Sequence, residues 1–413
     1  MPMTKQRDDL TFRYNLKNGR HGWLRLTPAY SIKVVQHILE SHPAIQYVLE
    51  PFSGTGTTGL VCGERGINCD LFDINPFLVW FARVKTTNYQ LTQLSEARVG
   101  AQEIVAAALK MNRPADLWLP PISNINRWWP ENILLMLAKI YFAINQHFPQ
   151  PSATKDLALV AFCRLLIEWS NAAFNHQSMS FKTEDQARLF AYDEPHLMGD
   201  RFIQLAMELT ASAEQPIEGR VRVFQADSRN VPKPTDDFYD AVITSPPYPN
   251  RMSYIRELRP YMYWLGYLSE KREAADLDWQ AIGGTWGVAT SRLKKWEANG
   301  ARVPHEGFEQ MVAQIGKESP LLGNYVHKYF VDMMSHIQNI SQALKPGAQV
   351  FYIVGNSKFY DTLVPVEAIY ASLLKHCGFS NIEIEVLRKR NSKKELLEFV
   401  VSGKKDFNLP SKN

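Results

Sequence analysis

One short segment carries side chains that could do chemistry on the amino group of a planar ring. The sequence TSPPY (residues 244–248) follows the apolar run 241–243. Because proline cannot continue a central parallel strand, the strand must end there and expose these side chains. The Ser245 hydroxyl and the rigid Pro246 carbonyl can accept the two N–H bonds of an exocyclic amino group, and Tyr248 offers a face on which a flipped base can stack. The alternative is a proline turn that only closes a strand above a packed aromatic ring.

A glycine-rich segment upstream, EPFSGTGTTG (residues 50–59), has the features of a nucleotide-cofactor loop. It lies between a short apolar strand and the start of a helix, and its glycines form the pattern GxGxxG at Gly54, Gly56 and Gly59. Glycines let a ligand approach the backbone, and a helix N-terminus offers free N–H groups. Asp73, at the end of the next predicted strand, can accept both hydroxyls of a ribose. A glycine turn that only packs a strand on a helix, or an aspartate that only caps a helix, would leave the same pattern.

The residue just before this loop, Glu50, indicates which cofactor the loop binds. A carboxylate at the tip of the strand repels the pyrophosphate of a dinucleotide, whereas it attracts the methionine ammonium group of S-adenosylmethionine. The sequence therefore favours S-adenosylmethionine. An NAD-type oxidoreductase built on the same glycine pattern is the disfavoured alternative.

Together the two motifs resemble those of the amino-methyltransferases that modify DNA, in particular the N4-cytosine branch. EPFSGTGTTG is similar to the family's cofactor motif, and TSPPY to its catalytic tetrapeptide with a leading threonine. The resemblance implies a class I methyltransferase (Rossmann-like) α/β fold, with a mostly parallel sheet and a C-terminal antiparallel hairpin. It further implies S-adenosylmethionine as cofactor, double-stranded DNA as partner, base flipping and direct methyl transfer without a metal. Restriction–modification, with a cognate restriction endonuclease, is the setting it suggests.

The resemblance also implies roles for individual residues. The catalytic residues would be Ser245, Pro246, Pro247 and Tyr248. The methionine part of the cofactor would be held by Glu50, Pro51, Phe52, Ser53, Gly54, Thr55 and Gly56, under a segment containing Thr27, Pro28 and Tyr30. The ribose would contact Asp73, and the adenine Ile74, Asp227 and Ser228. The order of the motifs departs from the arrangement common among relatives with a serine in the catalytic motif, in which that motif comes first.

The residue type at Ser245 favours cytosine, because aspartate or asparagine is commoner there in the adenine branch. N6-adenine methylation stays open. Carbon-5 methylation is disfavoured, since it needs a thiolate offered just after a proline and none of the four cysteines follows one. An RNA amino-methyltransferase would more naturally carry asparagine before Pro-Pro-Tyr, and a DNA-binding protein that had lost catalysis would not need an intact TSPPY.

The elements that must position these motifs divide the chain into five pieces. We expect the catalytic domain to comprise residues 1–90, with the cofactor motif, residues 214–248, with strands leading to TSPPY, and residues 326–413, with a strand, a helix and a closing hairpin. Two insertions interrupt it. Residues 91–213 show helical periodicity, and residues 249–325 look irregular.

Recognition of the DNA target must come from outside the sheet. We expect residues 249–325 to supply most of it, because they follow the catalytic motif and contain the basic residues Arg251, Arg256, Arg259, Arg292, Lys294 and Lys295. Arginine can read guanine edges or contact phosphates. The helical insertion is the competing element. Alternatively, RELRPYMYWLGYL is an amphipathic helix whose aromatic face lies in the core.

Composition sets the outer limits of these interpretations. The chain has 413 residues, of which 45% are hydrophobic and 21% charged, and a net charge of +4. This composition excludes a mostly disordered chain, and a mild basic excess permits nucleic-acid binding without arguing for it. The cysteines lack zinc-site spacing, the apolar runs are too short to cross a membrane, and no signal sequence is recognisable, so we expect a cytoplasmic protein without a metal.

Overall fold

A seven-stranded sheet with the order β10-β11-β7-β6-β1-β2-β5 forms the centre of the structure, a computed structural model. The described residues are 7–25, 29–112, 117–173, 180–181, 194–233, 238–250, 253–284, 288–390 and 395–407. The sheet's strands are β1 (Tyr47–Glu50), β2 (Asn68–Asp73), β5 (Val221–Gln225), β6 (Tyr239–Thr244), β7 (Leu344–Gly355), β10 (Phe379–Lys389) and β11 (Leu397–Lys405). Two small ribbons lie outside it, formed by β3 (Ala172–Ala173) with β4 (Ser180–Phe181) and by β8 (Ser357–Phe359) with β9 (Thr362–Val364).

Strand directions confirm the predicted class I methyltransferase fold. β5, β2, β1, β6 and β7 are mutually parallel, while β11 runs antiparallel to β7 and pairs with β10 as a closing hairpin. Residues 391–394, between the two hairpin strands, lie outside the described residues. Because β1 and β6 are neighbours with Leu49 opposite Val242, the cofactor loop and TSPPY leave the sheet side by side.

The strands end where the sequence predicts. All four residues of β1 are buried, as expected for a parallel strand covered on both faces. β6 stops at Thr244, directly before Ser245 and the two prolines, which cannot extend the ladder. Both functional segments therefore lie at the carboxyl edge of the sheet.

Helices cover both faces of the sheet and form most of the rest of the described chain. The N-terminal helices are α1 (Phe12–Asn15), α2 (Ile32–Ser41), α3 (Thr57–Glu64) and α4 (Pro76–Lys85). The region 91–213 contains α5 (Leu91–Lys110), α6 (Ile125–Trp128), α7 (Glu131–His147), α8 (Ala153–Glu168) and α9 (Glu194–Ala213). After TSPPY follow α10 (Tyr254–Trp264), α11 (Lys271–Gln280), α12 (Val288–Leu293), α13 (Phe308–Glu318), α14 (Pro320–Ser341) and α15 (Val366–His376). None of the described helices combines the length and apolar character that a membrane crossing requires.

Residues 249–325, expected to be irregular, contain several helices. In α10 the apolar residues Ile255, Leu258 and Met262 recur at helical spacing and are buried. Trp264 is fully buried and meets the rings of Trp129 and Phe162 from the helical region at 6.1 and 5.4 Å between centroids. The aromatic face of this segment therefore lies in the core, and the two regions share one apolar cluster.

Two glycines of the GxGxxG pattern are required by the packing around the loop. Gly56 has a left-handed backbone with φ of 72°, and a Cβ there would lie 3.1 Å from the Cβ of Ala82 in α4. Gly59 lies in α3, where a Cβ would approach Leu71 of β2 to 2.6 Å. The pattern thus lets α3 lie directly on the sheet, in addition to any contact with a ligand.

The substitution Gly56→Ala is expected to destabilise the protein by about 1–2 kcal/mol, because a left-handed backbone costs an L-residue that much. The measurement is the free energy of unfolding by denaturant. The matched control is Gly316→Ala in α13, where a Cβ would meet nothing within 4 Å. The control should be neutral or slightly stabilising; equal effects of the two substitutions would contradict this account of the loop.

Candidate active site and cofactor cleft

A buried carboxylate joins the cofactor loop to the catalytic strand. Glu50 ends β1 and is 0% exposed. Its Oε1 accepts a hydrogen bond of 3.0 Å from the Phe52 backbone N–H and another from the Thr244 hydroxyl. Its Oε2 accepts hydrogen bonds of 2.8 Å from the hydroxyls of Tyr30 and Thr58. One side chain therefore fixes the N-terminal segment, the glycine loop, α3 and the end of β6 relative to each other.

Burial sets the charge state of this carboxylate. Loss of water raises the pKa of Glu50 to about 7, although the hydrogen bonds from Thr244 and Tyr30 lower it. The group therefore titrates near neutral pH. Both of its carboxylate oxygens accept hydrogen bonds from groups of the protein.

The glycine loop itself is held by backbone hydrogen bonds. The Ser53 N–H donates to the Phe72 carbonyl at 2.9 Å, and the Gly56 N–H donates to the Ser53 carbonyl at 2.8 Å. From α4, the buried Lys85 Nζ donates to the Thr55 carbonyl at 2.7 Å. The hydroxyl of Ser53 is buried and has no hydrogen-bond partner in the described part of the chain. The loop is thus fixed in shape and offers an unused polar group.

The Asp73 carboxylate lies across the loop at the end of β2. It is half-buried, and it accepts hydrogen bonds of 2.8 Å from the Gly54 N–H and 2.9 Å from the Asn75 N–H. Burial raises the pKa of Asp73 to about 6, while these backbone donors lower it. Ile74 follows, also half-buried. The half-buried Asp73 carboxylate therefore lies beside the glycines of the loop.

The segment after β5 lies next to the end of β2, because the two strands are parallel neighbours. The Asp227 carboxylate accepts hydrogen bonds from the Arg229 guanidinium, of 2.9 and 3.1 Å from Nε and 2.6 Å from a terminal nitrogen, and one of 2.9 Å from the Arg229 backbone N–H. Arg229 also donates to Asp332 of α14 at 2.9 Å. Burial raises the pKa of Asp227, but the hydrogen bonds from Arg229 outweigh it and hold that pKa below its ordinary value. Ser228 is buried next to it. Asp227 is therefore a fixed, ionised acceptor.

The hydroxyl of Ser245, the first residue after β6, donates a hydrogen bond within the protein. Its Oγ donates to the Ile353 carbonyl of β7 at 3.2 Å, and the same hydroxyl also lies within hydrogen-bonding contact of the Tyr248 hydroxyl. The Pro247 carbonyl accepts a hydrogen bond of 2.8 Å from Tyr329 of α14. The hydroxyl of Tyr248 donates to Glu398 of β11 at 2.9 Å. The TSPPY segment is thus supported from several elements.

Helix α14 contributes residues that the sequence motifs do not reveal. Tyr329, Asp332 and His336 lie on one face at helical spacing and contact Pro247, Arg229 and Ser228 respectively. His336 Nδ1 donates to the Ser228 carbonyl at 2.9 Å, and its Nε2 accepts from the Tyr352 hydroxyl at 3.0 Å. Burial lowers the pKa of His336 to about 4, so the ring is neutral. The amphipathic period of the helix is visible in the sequence, but the site contacts of its residues are not.

The structure brings most of the predicted site residues to one edge of the sheet. Pro51, Thr55 and Gly56 are buried within the loop, and Phe52 is half-buried with its ring 4.8 Å from that of His336. Thr27 and Pro28 lie outside the described residues, as does Arg251.

Among the predicted DNA-contacting residues, Arg256, Lys294 and Lys295 are exposed. Arg292 forms an ion pair with Asp276 at 2.9 Å. Arg259 is half-buried, and burial lowers its pKa.

Known proteins similar to this chain are methyltransferases, although no protein-family model matches it. It is 21% identical to the type II methyltransferase M.AvaI from Nostoc sp. over 94% of this chain and 85% of that protein. It is 22% identical to the type II methyltransferase M.BsoBI from Geobacillus stearothermophilus over 94% of this chain and 84% of that protein. It is 20% identical to the type II methyltransferase M.MvaI from Kocuria varians over 89% of this chain and 81% of that protein. A solved structure, the rRNA methyltransferase aviRa from Streptomyces viridochromogenes, matches at a TM-score of 0.28 and 11% identity over 91% of this chain and 86% of that chain, too weakly to bear on the fold.

These relatives confirm S-adenosylmethionine as the cofactor, and the residues of the cleft fit it. The buried Ser53 hydroxyl is unpartnered within the described residues, and a Cβ on Gly54, whose φ is 51°, would have a single neighbour within 4 Å, the Phe52 carbonyl oxygen at 3.9 Å. The Asp73 carboxylate faces the same loop. A carboxylate and an unused hydroxyl beside the loop suit a polar nucleoside with an amino-acid tail. In the described part of the chain, no group of three or more His, Cys, Asp or Glu side chains is placed to hold a metal ion.

The Glu50 carboxylate is expected to make stability fall as the pH rises. Its pKa is raised to about 7 in the folded chain from 4.5, so the folded state binds the extra proton between these values. The unfolding free energy should therefore decrease from pH 5 to pH 7.5, by a few kcal/mol at about 1.4 kcal/mol per pKa unit.

The measurement is denaturant unfolding at several pH values for the wild type and Glu50→Gln. The variant should lose this pH-dependent component, whereas Glu218→Gln, at an exposed position, should retain it. Identical pH profiles for the wild type and Glu50→Gln would show that Glu50 does not titrate in this range.

Proposed function

We propose that this chain, which is similar to type II methyltransferases, transfers the methyl group of S-adenosylmethionine to the N4 amino group of cytosine in a specific double-stranded DNA sequence. The observation that carries the proposal is the placement of Ser245. It directly follows β6, the strand beside the cofactor strand β1, and its hydroxyl proton is donated to Ile353. An oxygen acceptor therefore lies next to the cofactor cleft.

Direct transfer requires an amino nitrogen whose lone pair is available. In a base this lone pair is delocalised into the ring, and acceptors for both N–H bonds draw the nitrogen towards tetrahedral geometry. Ser245 Oγ and the Pro246 carbonyl are the two acceptors proposed here. The Tyr329 hydrogen bond to Pro247 keeps the adjacent peptide in place. The same two oxygens stabilise the positive charge that develops on the nitrogen as it is methylated.

When bound, S-adenosylmethionine supplies an electrophilic methyl group. The residues of this chain would orient that methyl group. Asp73 would hold the ribose, and the loop of Ser53 and Gly54 would hold the methionine tail. Asp227 would accept a hydrogen bond from the adenine amino group. The hydrogen bond between Thr244 and Glu50 keeps this cleft in register with Ser245. Orientation of two reactants in one frame is itself a large catalytic contribution.

The choice of cytosine rests on Ser245, and N6-adenine is the alternative target. The two amino groups are geometrically alike, so the same acceptors could serve either. A restriction–modification setting, with an endonuclease that cuts the same site, is proposed from the type II relatives. An RNA substrate is the less favoured reading.

We propose that target recognition involves the segment from α10 to α13, on which Arg256, Lys294 and Lys295 are exposed. The region 91–213 is the competing element. Because α10 is buried in the apolar cluster of that region, the two can present one continuous surface.

Incubation with unmethylated bacterial DNA and tritium-labelled S-adenosylmethionine, followed by nucleoside mass spectrometry, tests the substrate. The proposal expects N4-methylcytosine. N6-methyladenine would overturn the assignment of Ser245 to cytosine but keep the mechanism. Label in RNA and none in DNA would contradict the proposed partner.

Separate variants test the two halves of the cleft. Ser245→Ala is expected to lower kcat by about 100-fold or more, the usual cost of losing one transition-state hydrogen-bond partner, with the cofactor Kd nearly unchanged. Asp73→Ala should do the reverse and weaken cofactor binding by roughly 10- to 100-fold, as for a lost hydrogen bond to a charged group. Titration calorimetry gives Kd, and label incorporation gives kcat. A parallel loss of cofactor binding in Ser245→Ala would contradict its role.

A further inference from the structure

The catalytic tyrosine is bound by a hairpin that lies outside both sequence motifs. Glu398, near the start of β11 and 6% exposed, accepts the Tyr248 hydroxyl at 2.9 Å. Arg388 of β10 donates to the same carboxylate twice, from Nε at 2.6 Å and from a terminal nitrogen at 3.2 Å. A paired guanidinium leaves the carboxylate little freedom, so the acceptor for the tyrosine is fixed in direction.

The aromatic ring of Tyr248 is also fixed, by contacts with Arg390 and Gly355. The Arg390 guanidinium lies 5.3 Å from the ring centroid and donates to the Asn356 carbonyl at 2.9 Å. At Gly355, the last residue of β7, a Cβ would lie 2.9 Å from Tyr248 Cε2. The glycine therefore lets the ring lie directly on the backbone.

The order of the strands shows that this contact must cross a neighbouring strand. β11 is separated from β6 by β7, so the hydrogen bond from Tyr248 to Glu398 must cross the end of β7. It can do so because Gly355 has no side chain at the crossing point. The hairpin thus reaches the catalytic segment over a neighbouring strand.

We propose that Glu398 is a positioning residue for methyl transfer. Supported by Arg388, it fixes the Tyr248 ring before the target base arrives, so that the base meets an ordered stacking surface. Ordering a side chain in advance removes that entropic cost from the binding step. This inference rests on the proposed function, in which Tyr248 receives the flipped base.

The test is a double-mutant cycle of Glu398→Ala and Tyr248→Phe. The probe is unmethylated plasmid DNA with tritium-labelled S-adenosylmethionine, and kcat, the KM for DNA and the cofactor Kd are measured. Each single variant should lose about tenfold in kcat, the scale of one hydrogen bond to a charged acceptor, with the cofactor Kd unchanged. The double variant should lose no more than Tyr248→Phe alone, because that variant already removes the contact with Glu398, together with the contact of the tyrosine hydroxyl with Ser245. Glu398→Gln, which keeps an acceptor oxygen, should recover most of kcat.

The control is Glu385→Ala, a glutamate exposed on the neighbouring strand β10, which should keep the wild-type kcat. Additive losses in the cycle would assign Glu398 to hairpin stability alone and overturn the inference. A wild-type kcat in Tyr248→Phe would overturn it too, whether or not Glu398→Ala folds. Absence of methyl transfer to DNA by the wild type would instead overturn the proposed function, and this inference with it.

Discussion

The buried carboxylate of Glu50 is the interaction on which the arrangement of the cleft depends. The cofactor loop and the catalytic segment leave different strands and are separated by almost two hundred residues of chain. Neighbouring strands alone would bring them near each other but would not fix their loops. Glu50 does so by accepting from Phe52 on one side and from Thr244 on the other. A buried acid is costly unless hydrogen bonds satisfy it, and here each oxygen has protein donors.

Helix α14 and the hairpin of β10 and β11 also hold the residues around Glu50 in place. Helix α14 contacts the segment after β5 through His336 and Asp332, and the TSPPY segment through Tyr329. The closing hairpin contacts Tyr248 from a third direction. Residues that hold a reacting group in one geometry matter for catalysis even when they do not touch the substrate, because small displacements are expensive in rate. Elements far from the motifs in sequence therefore help to hold the candidate site in one geometry.

The sheet and the two loops could be predicted from sequence because their signals are local. A glycine pattern after an apolar run, and two prolines after another, mark strand ends directly. The contributions of Tyr329, His336 and Glu398 could not be predicted, because they depend on which distant elements meet. Helix α10 illustrates the same limit: Pro260 lies within it and indicates a break, since proline cannot donate to the Arg256 carbonyl. Burial of the aromatic face around Trp264 outweighs that local penalty.

The most direct test of the central claim, that one cleft couples cofactor and target, is a crystal structure with S-adenosylmethionine bound. We expect the ribose at Asp73, the methionine tail on the loop of Ser53 and Gly54, and the transferable methyl group facing Ser245 and Pro246. Binding elsewhere, or with the methyl group turned away from Ser245, would contradict the account.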